Sequence, residues 1–148
     1  MIQGRYGFPA RLRPDEDGHL VVHFPDLPEA LTDGADEAEA LAEASDCLST
    51  ALAARIVNNE DIPVPSRLRQ GQYLVAPNAT MALKATLYSA LRARKMTIAD
   101  LALRLGIDER KAARLIDPRA AGGLASLEAA LSALGYRVAI EVYEQPAA

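Results

Sequence analysis

Residues 97–116, with the sequence TIADLALRLGIDERKAARLI, constrain the fold of this chain more than any other segment. Ala102 lies where the backbones of two crossing helices would nearly touch, and Gly106 lies where the first helix must end in a left-handed turn. Asp108 stands where a carboxylate can cap the free amides of a second helix. The segment therefore predicts two short helices joined by a tight turn. The apolar residues of their predicted seam are Leu101, Leu105, Ile107, Ala112 and Leu115.

The second predicted helix carries cations on the face turned away from this seam. Arg110, Lys111 and Arg114 lie on that outer face, and residues four apart on a helix can reach one groove. This pattern is typical of a helix that reads base edges in the DNA major groove. An ordinary helical hairpin with a solvated basic face is the alternative interpretation. The residues predicted to contact DNA phosphates are Thr97, Lys84 and Arg119.

Charge is divided unevenly along the chain. Residues 1–76 hold six Lys+Arg and thirteen Asp+Glu, a net charge of −7, whereas residues 77–148 hold ten and seven, a net charge of +3. A chain of 148 residues, half of them apolar, can bury a sizeable core and can form two small domains. We therefore expect an acidic domain over 1–76 and a DNA-binding domain over 77–148, because the basic excess lies with the helix pair.

The acidic half needs a partner other than DNA. Its acidic run at 36–46 fits two interpretations equally. Carboxylates at a helix N-terminus interact favourably with the helix dipole, and the same run could form a docking surface for a basic protein.

Several classes of site are excluded by composition and spacing. Cys47 is the only cysteine, so the sequence offers neither an internal disulfide nor a cysteine cluster for a metal. It also lacks other metal-ligand spacings, phosphate-cradling glycine loops and nucleophile elbows, so we expect no metal and no cofactor. Neither a leader peptide nor an apolar stretch of about 18 residues is present, which favours a soluble, cytoplasmic protein without membrane contact.

The first half predicts strands followed by one long helix. Asp17-Gly18 would form the tip of a β-hairpin, and the prolines at 25 and 28 favour extended backbone after it. Asp36 and Glu39 resemble a capping box at the start of the helix. The predicted order is βββαβ, with strands at 6–13, 20–24, 30–32 and 72–76 and a helix from Asp36 to about Asn58. The predicted buried face of the helix is Leu41, Ser45, Leu48, Leu52 and Ile56.

From Asn78 onward the apolar spacing is helical and predicts four helices. The last of them ends at Gly135, and residues 137–144 then alternate strictly, which predicts a strand. Val138, Ile140 and Val142 share one face of this strand. A lone terminal strand needs a partner, and its own copy in a second chain would form a homodimer or a higher oligomer with two helix pairs side by side.

Two histidines lie in or near the predicted hairpin. A catalytic role for His19 or His23 would need an orienting carboxylate, such as Asp15 or Asp26, and a nucleophile within hydrogen-bond reach. Ordinary turn and strand positions are the simpler interpretation. We therefore predict a binding protein without catalytic residues, and a histidine-dependent hydrolase is the alternative from the enzyme class.

The first half resembles the HicB-type antitoxins of bacterial type II toxin-antitoxin pairs. The resemblance covers about residues 6–76. It lies in Phe8-Pro9-Ala10, the acidic turn that ends in Gly18, the segment HLVVHFPDLPEALTDG, the Glu/Ala-rich helix and the trailing Ile62-Pro63-Val64-Pro65-Ser66. The second half resembles the phage-repressor-like helix-turn-helix that one branch of this family carries.

The resemblance implies an α+β protein in which a partial RNase H-like domain precedes an all-α helix-turn-helix domain with a C-terminal dimerising strand. It implies that the first domain blocks a small basic HicA-type toxin, a ribonuclease that cuts mRNA, and that the second represses the chain's own operon. The clustered carboxylates of an RNase H active site are missing from this sequence, so inhibition should be steric and electrostatic. Candidates for the toxin contact are Asp15, Asp17, Asp26 and Glu29. The alternative function is a free-standing transcriptional regulator whose first domain senses a small molecule.

Overall fold

A computed structural model describes residues 5–142 and 144 of the chain. The chain separates into two compact units, an N-terminal unit of residues 1–82 and a C-terminal unit of residues 83–148. No helix among the described residues is both long enough and apolar enough to cross a membrane.

The N-terminal unit consists of an antiparallel sheet and one long helix, in the βββαβ order that the sequence predicts. Its elements are β1 (Phe8–Pro14), β2 (Leu20–His23), β3 (Leu31–Gly34), α1 (Glu37–Val57) and β4 (Tyr73–Val75). The strands lie in the order β3-β2-β1-β4, so that β3 and β4 form the two edges. The hairpin register pairs Pro14 with Leu20, and Gly18 at the connecting turn has a φ of +82°.

The buried face of α1 differs from the predicted one in its first two turns. The helix begins where expected, because the Asp36 carboxylate accepts a hydrogen bond from the Glu39 amide at 2.9 Å. Ala40 and Ala44 are fully buried, however, whereas Leu41 and Ser45 are only half-buried. The cause is the close approach of β3, since a Cβ on Gly34 would lie 2.3 Å from the Ala40 nitrogen. This contact requires small side chains. The spacing of large apolar residues, on which the prediction was based, does not show where small residues are needed.

The C-terminal unit is helical, and the four predicted helices are confirmed. They are α2 (Ala79–Ala93), which contains the boundary between the units, α3 (Ile98–Leu105), α4 (Glu109–Ile116) and α5 (Leu124–Ala133). A positive φ of +89° at Gly135 follows α5. The helices enclose a core of Leu87, Ala90, Leu91, Leu101, Ala102, Ala112, Leu115, Leu127, Ala130, Leu131 and Leu134.

Residues 137–142 and 144 do not form the predicted strand within the single chain, and position 143 lies outside the described residues. Val138 packs against the core of the C-terminal unit, whereas Ile140 and Val142 are 76% and 88% exposed. A strand needs a neighbouring strand, and among the described residues the sheet contains only β1 to β4. The dimerising strand therefore stays a prediction.

Candidate functional site

The first helix of the 97–116 pair starts at a complete capping box. The Thr97 hydroxyl accepts a hydrogen bond from the Asp100 amide at 3.1 Å, and the Asp100 carboxylate accepts one from the Thr97 amide at 2.9 Å. Hydrogen bonding from Thr97 to the carboxylate, first of all from the Thr97 backbone amide, lowers the pKa of the Asp100 carboxyl. Two amides that the helix cannot satisfy internally are thereby satisfied, so α3 begins at a defined residue.

Three residues, Gly106, Ile107 and Asp108, connect α3 to α4. Gly106 adopts the left-handed conformation with a φ of 67°, and the Ile107 amide donates back to the Ala102 carbonyl at 3.0 Å. This is the hydrogen bond of a glycine-terminated helix end. The Asp108 carboxylate accepts a hydrogen bond from the Lys111 amide at 2.8 Å and so caps α4. The predicted helix end at Gly106 and the predicted cap at Asp108 are confirmed.

One face of α4 is buried and the opposite face carries the cations. Ala112 and Leu115 are buried in the core of the C-terminal unit, together with Leu101 and Ala102 of α3. The side chains exposed on α4 include Arg110, Lys111 and Arg114. The structure therefore presents the three predicted base-reading residues on one short, capped helix.

Lys84 corrects the sequence analysis, because it lies in the interior and cannot reach a phosphate. Only 1% of the residue is exposed. Its ammonium group donates to the carbonyl oxygens of Arg114 at 3.1 Å, Asp117 at 2.6 Å and Ala120 at 3.1 Å. An ammonium has three protons, so these bonds occupy them all. Burial lowers the pKa of Lys84, and the nearby Asp117 carboxylate opposes that change.

The other two residues predicted to contact phosphate lie at the surface. Thr97 is exposed at the start of α3, and Arg119 is exposed just beyond α4. The Arg119 side chain is held by Asp117, whose Oδ1 accepts from Nε at 3.0 Å and whose Oδ2 accepts from Nη2 at 3.4 Å. This pairing raises the pKa of Arg119 and lowers that of Asp117.

The four acidic candidates for a protein contact differ in how far they are already engaged. Asp15 Oδ1 accepts hydrogen bonds from the amides of Asp17 and His19, at 2.8 and 2.9 Å, and so shapes the hairpin turn. Asp17 is exposed at the tip of that turn. Asp26 accepts hydrogen bonds from both the amide and the hydroxyl of Ser66.

Glu29 is engaged by an ion pair. Its carboxylate pairs with the Arg55 guanidinium, and this hydrogen bond lowers the pKa of Glu29. The structure therefore leaves the hairpin carboxylates, rather than Asp26 and Glu29, as the more accessible charges of the set.

His19 pairs with Asp33, a carboxylate that the sequence analysis did not consider. His19 Nδ1 lies 3.3 Å from Asp33 Oδ2, and its backbone amide, not its ring, contacts the Asp15 carboxylate. Asp15, His19 and Asp33 together form an exposed cluster at one end of the sheet. Asp26 is bonded to Ser66 instead of a histidine. Of the pairs considered for a hydrolase, His19 and Asp15 therefore lie close together, with a ring nitrogen within 4.8 Å of a carboxylate oxygen, whereas Asp26 is engaged by Ser66.

Comparison with known proteins decides the family. The family model described as the HicB_like antitoxin of the bacterial toxin-antitoxin system matches residues 7–86, which is more than half of the chain. The chain belongs to the HicB-like antitoxin family. The resemblance proposed from the residues of the first half is thereby confirmed.

Individual HicB antitoxins align with nearly the whole chain. Antitoxin HicB 1 of Photorhabdus laumondii is 34% identical over 135 residues, which are 91% of this chain and 86% of that protein. Antitoxin HicB of Escherichia coli K12 is 33% identical over 133 residues, which are 90% of this chain and 96% of that protein. Because the alignments cover so much of the chain, the similarity includes both units.

Three residues position the candidate groups of this HicB-like chain, and the sequence analysis predicted none of these positioning roles. Arg55 holds Glu29, Ser66 holds Asp26, and Lys84 holds the end of α4. A sequence signal existed only for Lys84, which lies three residues before Leu87 and seven before Leu91 on the apolar face of its helix. Arg55 and Ser66 contact residues 26 and 40 positions away, so local spacing cannot reveal them.

Proposed function

We propose that this antitoxin acts by binding, through two separate surfaces. The N-terminal unit binds and blocks a small basic HicA-type ribonuclease toxin, and the C-terminal unit binds operator DNA of its own operon as a helix-turn-helix repressor. The active form is a homodimer or a higher oligomer, and its inhibition of the toxin is steric and electrostatic. Family membership and the opposite net charges of the two halves support this assignment.

The observation that carries the DNA proposal is the set of three exposed cations on α4. The helix is capped at its start and anchored on its apolar side by Ala112 and Leu115, so its outer face is rigidly presented. Arginine can donate two parallel hydrogen bonds to the major-groove edge of guanine. Arg110 and Arg114 are therefore the proposed base readers, and Lys111 adds a third cation between them.

Arg119 and Thr97 are the proposed phosphate contacts. Thr97 caps the start of α3 and Arg119 lies just beyond the end of α4, and side chains at helix ends commonly engage the DNA backbone. Phosphate contacts set the register of a protein on DNA without specifying sequence.

The proposed toxin contact is centred on the hairpin carboxylates Asp15 and Asp17. Residues 1–76 carry a net charge of −7, and an acidic domain attracts a basic protein and accelerates its association. Asp26 and Glu29 follow the opposite end of β2 from the hairpin turn, and their oxygens already accept hydrogen bonds from Ser66 and Arg55, so they are not at the centre of the proposed contact.

Fluorescence anisotropy with a duplex from upstream of the chain's own coding sequence tests the DNA proposal. A triple variant with Arg110, Lys111 and Arg114 changed to Gln should lose sequence-specific binding, because a single base-reading arginine contributes about 1–3 kcal/mol. The matched control changes Arg13, Arg67 and Arg69 of the N-terminal unit to Gln, with the same loss of charge. Specific binding by the α4 triple variant equal to that of the control would refute α4 as the reader.

Co-purification tests the toxin proposal. The full chain should retain the short basic protein encoded by the neighbouring reading frame, and Asp15→Asn with Asp17→Asn should accelerate dissociation or slow association at low salt. Glu128→Gln with Glu141→Gln, in the C-terminal unit, is the control of equal charge change. If neither pair of substitutions changes how well the chain retains the basic protein, the hairpin is not the contact.

A further inference from the structure

Lys84 is a buried cation that cannot itself contact DNA. Its ammonium group nevertheless contacts the C-terminal end of α4, the helix proposed to bind DNA. Its three hydrogen bonds all go to backbone oxygens, those of Arg114, Asp117 and Ala120. The chain after these residues closes over the ammonium group, because a Cβ on Gly122 would lie 3.3 Å from Lys84 Nζ. Lys84 thus joins α2 to three points around the C-terminal end of α4.

The first of these bonds replaces one that the helix cannot make. The Arg114 carbonyl would accept a hydrogen bond from the amide four residues later, but Pro118 stands there and has no amide proton. The ammonium group supplies the missing donor. Its positive charge also lies at the end of the helix where the backbone dipole favours a cation.

The other two bonds hold a turn that presents Arg119. The Ala120 amide donates to the Asp117 carbonyl at 3.1 Å, which closes a four-residue turn with Pro118 in its second position. Asp117 and Ala120 direct their carbonyl oxygens inward to Lys84, and Arg119 lies between them with a side chain 73% exposed.

Asp117 orients the Arg119 guanidinium but leaves much of it available. It engages Nε and one N–H of Nη2. A guanidinium has five N–H donors, so three remain for an anion. A phosphate oxygen is the anion to which such a planar, oriented fork is suited.

We propose that Lys84 is a positioning residue that holds the 117–120 turn against the helical core, so that Arg119 meets a DNA phosphate while α4 occupies the groove. This inference rests on the proposed DNA-binding function and adds to it a residue that acts without touching DNA. Loss of the ammonium group would release the Arg114 carbonyl and the turn together, and Arg119 would lose its fixed position.

A double-mutant cycle in the full chain tests the inference, with Lys84→Met, Arg119→Gln and the double variant. Binding of the upstream duplex is measured against salt concentration at a temperature where circular dichroism shows each variant folded. Each single change should lower the magnitude of the salt slope by about one, the value for one phosphate contact. The double variant should bind no more weakly than the weaker single variant, because Lys84 acts through Arg119.

Two results of this cycle would overturn the inference. Additive losses in the double variant would mean that Lys84 supports the fold without positioning Arg119. An unchanged affinity and slope for Lys84→Met would mean that the turn needs no ammonium group. If instead both single variants reproduce the expected slopes but the α4 triple variant keeps specific binding, the base-reading proposal fails while the positioning role stands.

A measurement on the unmodified chain covers the case in which Lys84→Met does not fold. In NMR spectra, the Arg119 Nε–H resonance should shift on addition of duplex DNA, and the Lys84 ammonium resonance should stay protected from solvent exchange with and without DNA. An Arg119 resonance that does not respond to DNA, or a Lys84 ammonium that exchanges as fast as an exposed lysine, would overturn the inference.

Discussion

Two hydrogen bonds join the Arg55 guanidinium to the Glu29 carboxylate, from Nε to Oε2 at 2.6 Å and from Nη2 to Oε1 at 3.0 Å. A third, from Arg55 Nη1, reaches the Asp61 carbonyl oxygen at 2.8 Å. Arg55, in the last turn of α1, therefore connects that helix both to the segment before β3 and to the segment after α1. This arrangement assigns Glu29 a structural role within the N-terminal unit.

Changing Glu29 to Gln should make stability less dependent on pH. Pairing with Arg55 lowers the pKa of Glu29, so the carboxylate contributes stability above its unfolded-state pKa and loses it as the pH falls through the lower folded-state value. At pH 7 the substitution should lower the free energy of unfolding by about 0.2–1 kcal/mol, the range for a partly exposed pair. Below the ordinary glutamate pKa of 4.5 the difference from the unaltered chain should shrink. Urea denaturation at a series of pH values measures this difference in the free energy of unfolding.

Glu16→Gln is the control for this experiment, because Glu16 is an exposed carboxylate in the hairpin turn. It should change the stability less at neutral pH. A Glu29→Gln effect of equal size at neutral and acid pH would contradict an electrostatic role for the pair.

Gly106 should be sensitive to substitution for reasons of backbone conformation alone. Its φ is +67°, and a Cβ added there would meet no atom within 4 Å, so steric crowding by neighbours does not contribute. Gly106→Ala should lower the free energy of unfolding by about 1–2 kcal/mol, and Gly106→Asn should cost less because asparagine tolerates the left-handed region. Thermal unfolding of both variants checks this order. Equal losses of stability in the alanine and asparagine variants would show that the left-handed conformation at position 106 is not the cause of the loss.

The helix ends of the C-terminal unit could be predicted from sequence because their chemistry is local. Thr97 and Asp108 each bond an amide three residues ahead, and Gly106 is required at its own position. The role of Lys84 could not be predicted in this way, since its acceptors lie 30 to 36 residues away. The charge of Lys84 suggested an exposed residue that contacts phosphate. Its burial instead results from the packing of α2 in the C-terminal unit.

The same limit applies to the N-terminal unit. The order of its strands and helix follows from alternation and turn residues, which are local. The choice of Ala40 over Leu41 for the buried face depends on how closely Gly34 approaches α1, which is a tertiary contact. The preference for Asp15 and Asp17 in the proposed toxin contact likewise depends on tertiary contacts, since Arg55 and Ser66 already engage Glu29 and Asp26.

Ala102 should not tolerate a larger side chain, because it lies in the contact between α3 and α4. It is 4% exposed and belongs to the core of the C-terminal unit. Ala102→Leu should lower the free energy of unfolding by about 1–3 kcal/mol through overpacking. Ala99→Leu is the matched control, since Ala99 is an exposed alanine on the same helix. Denaturant midpoints for the two variants measure the difference, and a comparable loss in both would contradict close packing at Ala102.

The exposed residues Ile140 and Val142 should govern association rather than the stability of the single chain. They are 76% and 88% exposed, while Val138 on the same alternating face packs against the helical core. If a second copy pairs with this segment, as its alternating sequence predicts, Ile140 becomes buried, and burial of such a side chain contributes about 1.5–3 kcal/mol. Ile140→Lys should therefore weaken dimerisation at least about tenfold in sedimentation experiments. Ala139→Lys, on the alternate face, should weaken it less, and an equal effect of the two lysines would indicate general charge repulsion instead of a paired strand.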